Sequence, residues 1–129
     1  MKRFITITIA VILGVFGLTP PANAASPTIT VKVDAPYYTP KATSVDVVAS
    51  KSNGSRVYYT MTLQQQYTDG WKSKQSQSGE FVKSTPTKRF YTSTMTNGQY
   101  RIKLTAYSNA TKTKKIGTYY SKSFAVTRW

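Results

Sequence analysis

The chain has 129 residues, no cysteine, no histidine and a formal net charge of +14, from 18 lysines and arginines against 4 acidic residues. Without cysteine and histidine it has no thiol nucleophile, no imidazole base and no Ser–His–Asp triad. Its four carboxylates are scattered, which excludes the pair that a glycosidase needs and the cluster that calcium needs. We therefore expect no enzyme activity, no cofactor and no metal.

The first 24 residues have the pattern of a secretory signal peptide. Lys2 and Arg3 precede an apolar run over residues 4–18, and the tripeptide Ala-Asn-Ala at 22–24 has the small residues that signal peptidase requires. The apolar run is shorter than the ~20 residues of a membrane-spanning helix. We therefore expect a secreted, extracellular protein, either free or associated with the cell wall, with one domain over residues 25–129.

The rest of the chain shows no helical periodicity and alternates apolar with polar residues over short runs. Thr, Ser, Tyr and Val are frequent, and Gly, Pro and Asn separate the runs, as in an all-β sandwich or barrel. The segment 34–41 holds two prolines and is predicted to be an irregular crossing, and 108–113 a polar hairpin loop. In chain order, the predicted strands cover residues 28–33, 44–50, 56–66, 71–77, 80–82, 87–94, 99–107 and 115–127.

Two of these runs have special features. The run 71–77, WKSKQSQ, has almost nothing to bury, and its lysines are typical of a protected edge strand. The run 115–127 does not alternate uniformly, and a bulge near 119–121 would restore its direction. The predicted core consists of the apolar residues of one parity in each strand: Ile29, Val31, Val33, Val45, Val47, Ala49, Val57, Tyr59, Met61, Leu63, Phe90, Ile102, Leu104, Ala106, Phe124 and Val126.

The stretch NGQYRIKL at 97–104 places Tyr100 two residues after a turn glycine, at the head of an alternating strand. It resembles the tyrosine corner at the start of strand F in immunoglobulin and fibronectin type III domains. There the tyrosine hydroxyl bonds back to the backbone of the preceding corner. The resemblance implies one antiparallel sandwich of seven or eight strands, in which Tyr100 is structural. The cysteine pair and inner tryptophan of antibody domains are missing, so a fibronectin-like or bacterial immunoglobulin-like variant fits better.

In a seven-strand immunoglobulin-type sandwich the third, sixth and seventh strands share a sheet. Here these correspond to the predicted strands 56–66, 99–107 and 115–127, so we expect their outward side chains to meet. Aromatic rings stack on sugars or bases, and Lys or Arg neutralise phosphate or carboxylate, so this surface is a candidate platform for an anionic polymer. An ordinary solvated surface is the alternative, because Tyr, Thr and Lys are common on exposed strands. The candidate binding residues are Tyr58, Trp71, Lys72, Lys74, Arg101, Lys103, Tyr107 and Tyr119.

Three functions are compatible with the sequence. The first is a non-catalytic, cationic binding protein for an anionic cell-envelope or matrix polymer, such as teichoic acid, acidic polysaccharide, lipid headgroups or extracellular nucleic acid. The second is an antimicrobial, bacteriocin-like protein acting on competitor cells, although the sequence beyond residue 24 has no amphipathic helix. The third is a protein-interaction module, such as an inhibitor or an immunity partner. Because the high charge repels other copies, we expect a monomer.

Overall fold

Apolar residues at every second position give most long segments of the chain one face to bury, as in a β-strand. The computed structural model describes residues 28–52 and 54–128, and within them it has nine strands. They are β1 (Ile29–Val33), β2 (Tyr37–Tyr38), β3 (Ser44–Lys51), β4 (Val57–Tyr67), β5 (Gly70–Phe81), β6 (Lys88–Tyr91), β7 (Gly98–Tyr107), β8 (Lys115–Tyr120) and β9 (Phe124–Val126). A 3₁₀ turn over Thr92–Thr94 follows β6. The predicted signal peptide lies outside the described residues.

The strands form two sheets with the core between them. The first sheet has the order β1-β3-β6, and the second has the order β2-β9-β7-β4-β5, with β8 also paired to β7. All pairings between these strands are antiparallel except that of β2 with β9. The prediction of a single immunoglobulin-like sandwich is thereby confirmed, with nine strands in place of seven or eight, and the second sheet is mixed rather than purely antiparallel.

The strand prediction was wrong in two places before residue 82. The predicted irregular crossing at 34–41 contains β2, in which Tyr37 and Tyr38 pair with β9. The two predicted strands at 71–77 and 80–82 are one continuous strand, β5, which pairs with β4 alone. A polar segment without apolar alternation forms a long strand here because an edge position requires backbone pairing on one side and little burial.

The C-terminal run was predicted as one bulged strand and is two strands. Ser121 lies in the break between β8 and β9, where its N–H donates to the Ile102 carbonyl at 2.9 Å. Its Oγ accepts the Ile102 N–H, also at 2.9 Å, so the side chain supplies a hydrogen bond that a continuous strand would take from its backbone. Lys122, which the uninterrupted alternation would direct inward, is exposed.

The core between the sheets agrees closely with the predicted set. Val33 is only partly buried, and all the other predicted core residues are buried. The structure adds three buried hydrophobic residues that the alternation did not assign, because they lie in β2, at the end of β5 and after the 3₁₀ turn: Tyr38, Phe81 and Met95.

Tyr100 forms the tyrosine corner that the sequence resemblance implied. Its side chain is 1% exposed, and its hydroxyl donates to the Thr96 carbonyl at 2.7 Å and accepts the Thr96 N–H at 3.0 Å. Its ring stacks on Phe124 with the ring centroids 6.1 Å apart. These contacts join the start of β7 to the preceding corner and to β9.

Tyr38 closes a second corner in a similar way. Its hydroxyl donates to the Asp34 carboxylate and accepts the Ala35 N–H at 3.0 Å. Burial, followed by the hydrogen bond to Asp34, raises the pKa of Tyr38 far above its usual value. The hydroxyl therefore stays protonated, and able to donate, at any pH near neutrality.

Replacing Tyr100 with Phe should lower the free energy of unfolding by about 1–3 kcal/mol, because the Thr96 backbone groups lose their buried partner. Urea unfolding followed by circular dichroism measures the loss. Tyr91→Phe is the matched control, because Tyr91 is 59% exposed and should lose almost nothing. Equal stability of the two variants would contradict a structural role for the Tyr100 hydroxyl.

Candidate functional site

The strand register places the outward side chains of β4, β7 and β8 in rows across the second sheet. We call the surface formed by these rows the outer face. Tyr58, Arg101, Lys103 and Tyr107 of the predicted site therefore lie together, as the alternation required. The rows are Tyr58–Tyr107–Lys115, Thr60–Thr105–Thr118, Thr62–Lys103–Tyr120 and Gln64–Arg101.

Arg101 lies between two aromatic rings that come from opposite sides of β7. Its guanidinium carbon is 4.3 Å from the centroid of Trp71 on β5 and 4.2 Å from that of Tyr120 on β8. Its Nε donates to Oε1 of Gln64 at 2.8 Å. Gln64 is only 6% exposed, although its strand parity directs it outward. Four strands thus contribute to one cation–π cluster, which fixes the position of Arg101.

The structure replaces Tyr119 with Tyr120 in the predicted site. Ala106 pairs with Gly117 and Tyr107 pairs with Lys115, so Ile116 is an extra residue that reverses the parity of β8. Tyr119 therefore turns inward, where it packs against the core. Without this bulge Lys103 would pair with Tyr119, and Tyr119 would face outward as predicted.

A second bulge removes Lys72 and Lys74 from the outer face. Leu63 pairs with Gln75 and Gln64 pairs with Ser73, so Lys74 is the extra residue of β5. The shift puts Lys72 opposite Gln65, on the inward side of the sheet, and it turns Trp71 outward, where it reaches Arg101.

Lys72 and Lys74 instead surround Tyr67. Nζ of Lys74 donates to the Tyr67 hydroxyl at 3.0 Å, and this hydrogen bond raises the pKa of Lys74. Nζ of Lys72 lies 5.1 Å from the centroid of the same ring and 3.6 Å from Oδ2 of Asp69. These two lysines belong to the β4–β5 hairpin end and not to the outer face.

The loop between β7 and β8 adds Lys112 to the candidate site, a residue that the sequence pattern did not indicate. Oδ1 of Asn109 accepts the N–H groups of Thr113 and Lys114, at 3.1 and 3.0 Å, which closes the loop. Lys112 has a φ of 58°, a left-handed conformation that costs a non-glycine residue ~1–3 kcal/mol. This conformation accompanies the approach of Nζ of Lys112 to within 3.3 Å of Oγ1 of Thr60 on the outer face.

The carboxylates that form ion pairs do so with cations other than these, including Glu80, which lies opposite Tyr58 on β5. Asp69 pairs with Lys72, and the other two ion pairs of the described residues join Arg56 to Glu80 at 3.0 Å and Arg89 to Asp46 at 3.7 Å. Within residues 28–52 and 54–128, no carboxylate pairs with an arginine or lysine of the outer face. Three lysines of this surface, at positions 103, 112 and 115, are therefore available to an external anion.

A groove borders the outer face at Tyr120. It has a volume of about 510 Å³ and lies between β1 and the end of β8, with Tyr120 and Lys122 on one side. In the part of the chain that the structure describes, no helix is long and apolar enough to cross a membrane. The same residues contain no group of His, Cys, Asp or Glu that could hold a metal ion.

The two-sheet topology and the tyrosine corner define an immunoglobulin-like β-sandwich domain. Within that class, the chain belongs to the family of the YqgA MG2 macroglobulin domain, whose model matches residues 21–127. An MG2 domain is a non-catalytic immunoglobulin-like domain. No curated protein matches the chain.

Replacing Arg101 with Met should lower the free energy of unfolding by roughly 1–2 kcal/mol, since each exposed ring contact contributes ~0.5–1 kcal/mol. Lys103→Met is the control, because Lys103 comes from the same strand and face but is stacked on no ring among the described residues. Urea unfolding of both variants measures the difference. Similar losses in both would show that the cation–π cluster contributes nothing to stability.

Proposed function

We propose that this is a secreted, non-catalytic domain that binds an anionic glycopolymer of the cell envelope or matrix through its outer face. The polymer is a chain of sugars or polyols that carry phosphate or carboxylate groups. The observation that carries the proposal is the pattern of ion pairs: the lysines of the outer face have no carboxylate partner in the described ranges, whereas Asp46, Asp69 and Glu80 pair with Arg89, Lys72 and Arg56.

The shape of the outer face favours a polymer over a small molecule. Arg101 and Tyr107 are six residues apart on β7, which corresponds to roughly 20 Å of strand. Cations and aromatic rings lie at both ends of this length, with a row of threonines between them. A repeating anionic chain can contact several cations at once, and such linked contacts raise the overall affinity far above that of each contact alone.

The chemistry of the same surface favours a glycopolymer over a lipid bilayer. Its rings are tyrosines and a tryptophan that lie among threonines and lysines, an arrangement suited to stacking on sugars. The loop next to it, residues 108–114, consists of polar residues and one alanine, and offers no apolar group for insertion into a membrane. The predicted export would place the domain where such polymers occur.

Replacing Lys103, Lys112 and Lys115 by glutamine in one triple variant should weaken binding to purified wall glycopolymer. The slope of log K against log salt concentration should also become less steep, by ~1 for each lost ammonium–anion contact. The triple variant should therefore differ from the wild type by about 3 in this slope. Binding is measured by retention on immobilised polymer across a series of salt concentrations, with anionic liposomes and DNA as parallel surfaces.

The control replaces Lys41, Lys83 and Lys88 with glutamine, because these lysines lie on or beside the first sheet, away from the outer face, and the net charge changes equally. Circular dichroism checks that both triple variants fold. Equal weakening by the two triples would assign binding to net charge alone and would remove the outer face as the site. Preferred retention on liposomes or DNA would replace the glycopolymer as the partner.

A further inference from the structure

Arg101 has only one edge of its guanidinium free. A guanidinium has two flat faces and five N–H donors. The guanidinium carbon of Arg101 lies over the rings of Trp71 and Tyr120, at 4.3 and 4.2 Å from their centroids, and Gln64 accepts from Nε. The two terminal nitrogens donate to no group among residues 28–52 and 54–128. These nitrogens form the fork that binds two oxygens of one anionic group in parallel.

We propose that Arg101 is a preorganised subsite for a single oxyanion group, which its terminal nitrogens bind in bidentate fashion. The group is a carboxylate or a phosphate, which present the same pair of oxygens to the fork. The inference rests on the proposed function, because it names the group of the glycopolymer that this face recognises. It adds that recognition depends on the geometry of one arginine and not only on the number of positive charges.

The surroundings of Arg101 account for the specificity. A free arginine loses ~2 kcal/mol of side-chain entropy when it is fixed, whereas Arg101 is already held by two rings and a hydrogen bond in the unbound domain. The two rings also shield the cation from part of the surrounding water, which strengthens its attraction for an anion. Tyr120 is 48% exposed beside the fork, so a sugar that carries the anionic group can stack on its open ring.

A purely structural role makes a different prediction. If the cluster served only to hold β5 and β8 against β7, substitutions there would change stability and leave anion binding proportional to net charge. A variant that keeps the charge of the domain but removes the fork therefore distinguishes the binding role from the structural role.

Arg101→Lys keeps the charge and removes the fork. We expect it to weaken binding to polyglycerol phosphate, or to polygalacturonate, roughly 10-fold, as the loss of one bidentate contact predicts. The matched control is Arg89→Lys, because Arg89 is exposed on the first sheet, and it should bind as the wild type does. The two polymers carry phosphate and carboxylate, respectively, so the more sensitive one identifies the group.

Gln64→Glu gives a second test that does not depend on Arg101→Lys being stable. The glutamate keeps the shape and the hydrogen bond to Nε, but its charge neutralises the guanidinium and should weaken polymer binding several-fold. Thr87→Glu, at an exposed position before β6, changes the net charge by the same amount and should have a smaller effect. Equal effects of the two variants would overturn the subsite.

A direct measurement uses the wild-type domain and two small probes. Side-chain ¹⁵N NMR resolves the Arg101 terminal nitrogens, and inorganic phosphate or acetate should shift them with saturation, while the Arg89 signals stay in place. Unchanged Arg101 signals, with both polymers bound equally by wild type and Arg101→Lys, would overturn the subsite. Such a result leaves the proposed function standing if the triple lysine variant still loses binding, and the proposed function fails if that variant binds normally.

Discussion

The pairing of β7 on both of its edges is the constraint on which the rest of the molecule depends. One edge is hydrogen-bonded to β4, and the other to β8 and β9 in succession. In a strand that is paired on both edges, the alternation of side chains decides which residues face the core and which face outward. Because Tyr100 fixes the start of β7, the same alternation buries Ile102 and Leu104 and directs Arg101 and Lys103 outward. Core and outer face are thus two consequences of one register.

The sequence alone predicts those parts of the structure that depend on local alternation. The strands with apolar residues at every second position and the buried members of β3, β4 and β7 follow from residue type and spacing. The hydroxyl bond of Tyr100 follows from the resemblance to a tyrosine corner. β5 was predicted only as two separate pieces and β2 was not predicted, because β5 does not alternate along its length and β2 has only two residues. Their existence depends on which strand lies beside them, and residue type does not determine that.

The errors in the candidate site have one physical cause. Each follows from a single extra residue in a strand, Lys74 in β5 and Ile116 in β8, which reverses the direction of every side chain beyond it. A bulge of this kind leaves no mark in composition, since Tyr119 and Tyr120 are identical neighbours and either could face Lys103. Gln64 and Lys112 were missed for a related reason: their roles come from contacts with Arg101 and Thr60, which are distant in sequence.

The break at Ser121 separates the orientation of β8 from that of β9. β9 pairs with β7 and β2 and buries Phe124 and Val126 in the core. β8 pairs with β7 and presents Tyr120 to Arg101 on the outer face. In one continuous strand, Tyr120 and Phe124 would face the same side of the sheet, because they are four residues apart. The interruption at Ser121 therefore lets one short segment of chain serve the core and the outer face independently.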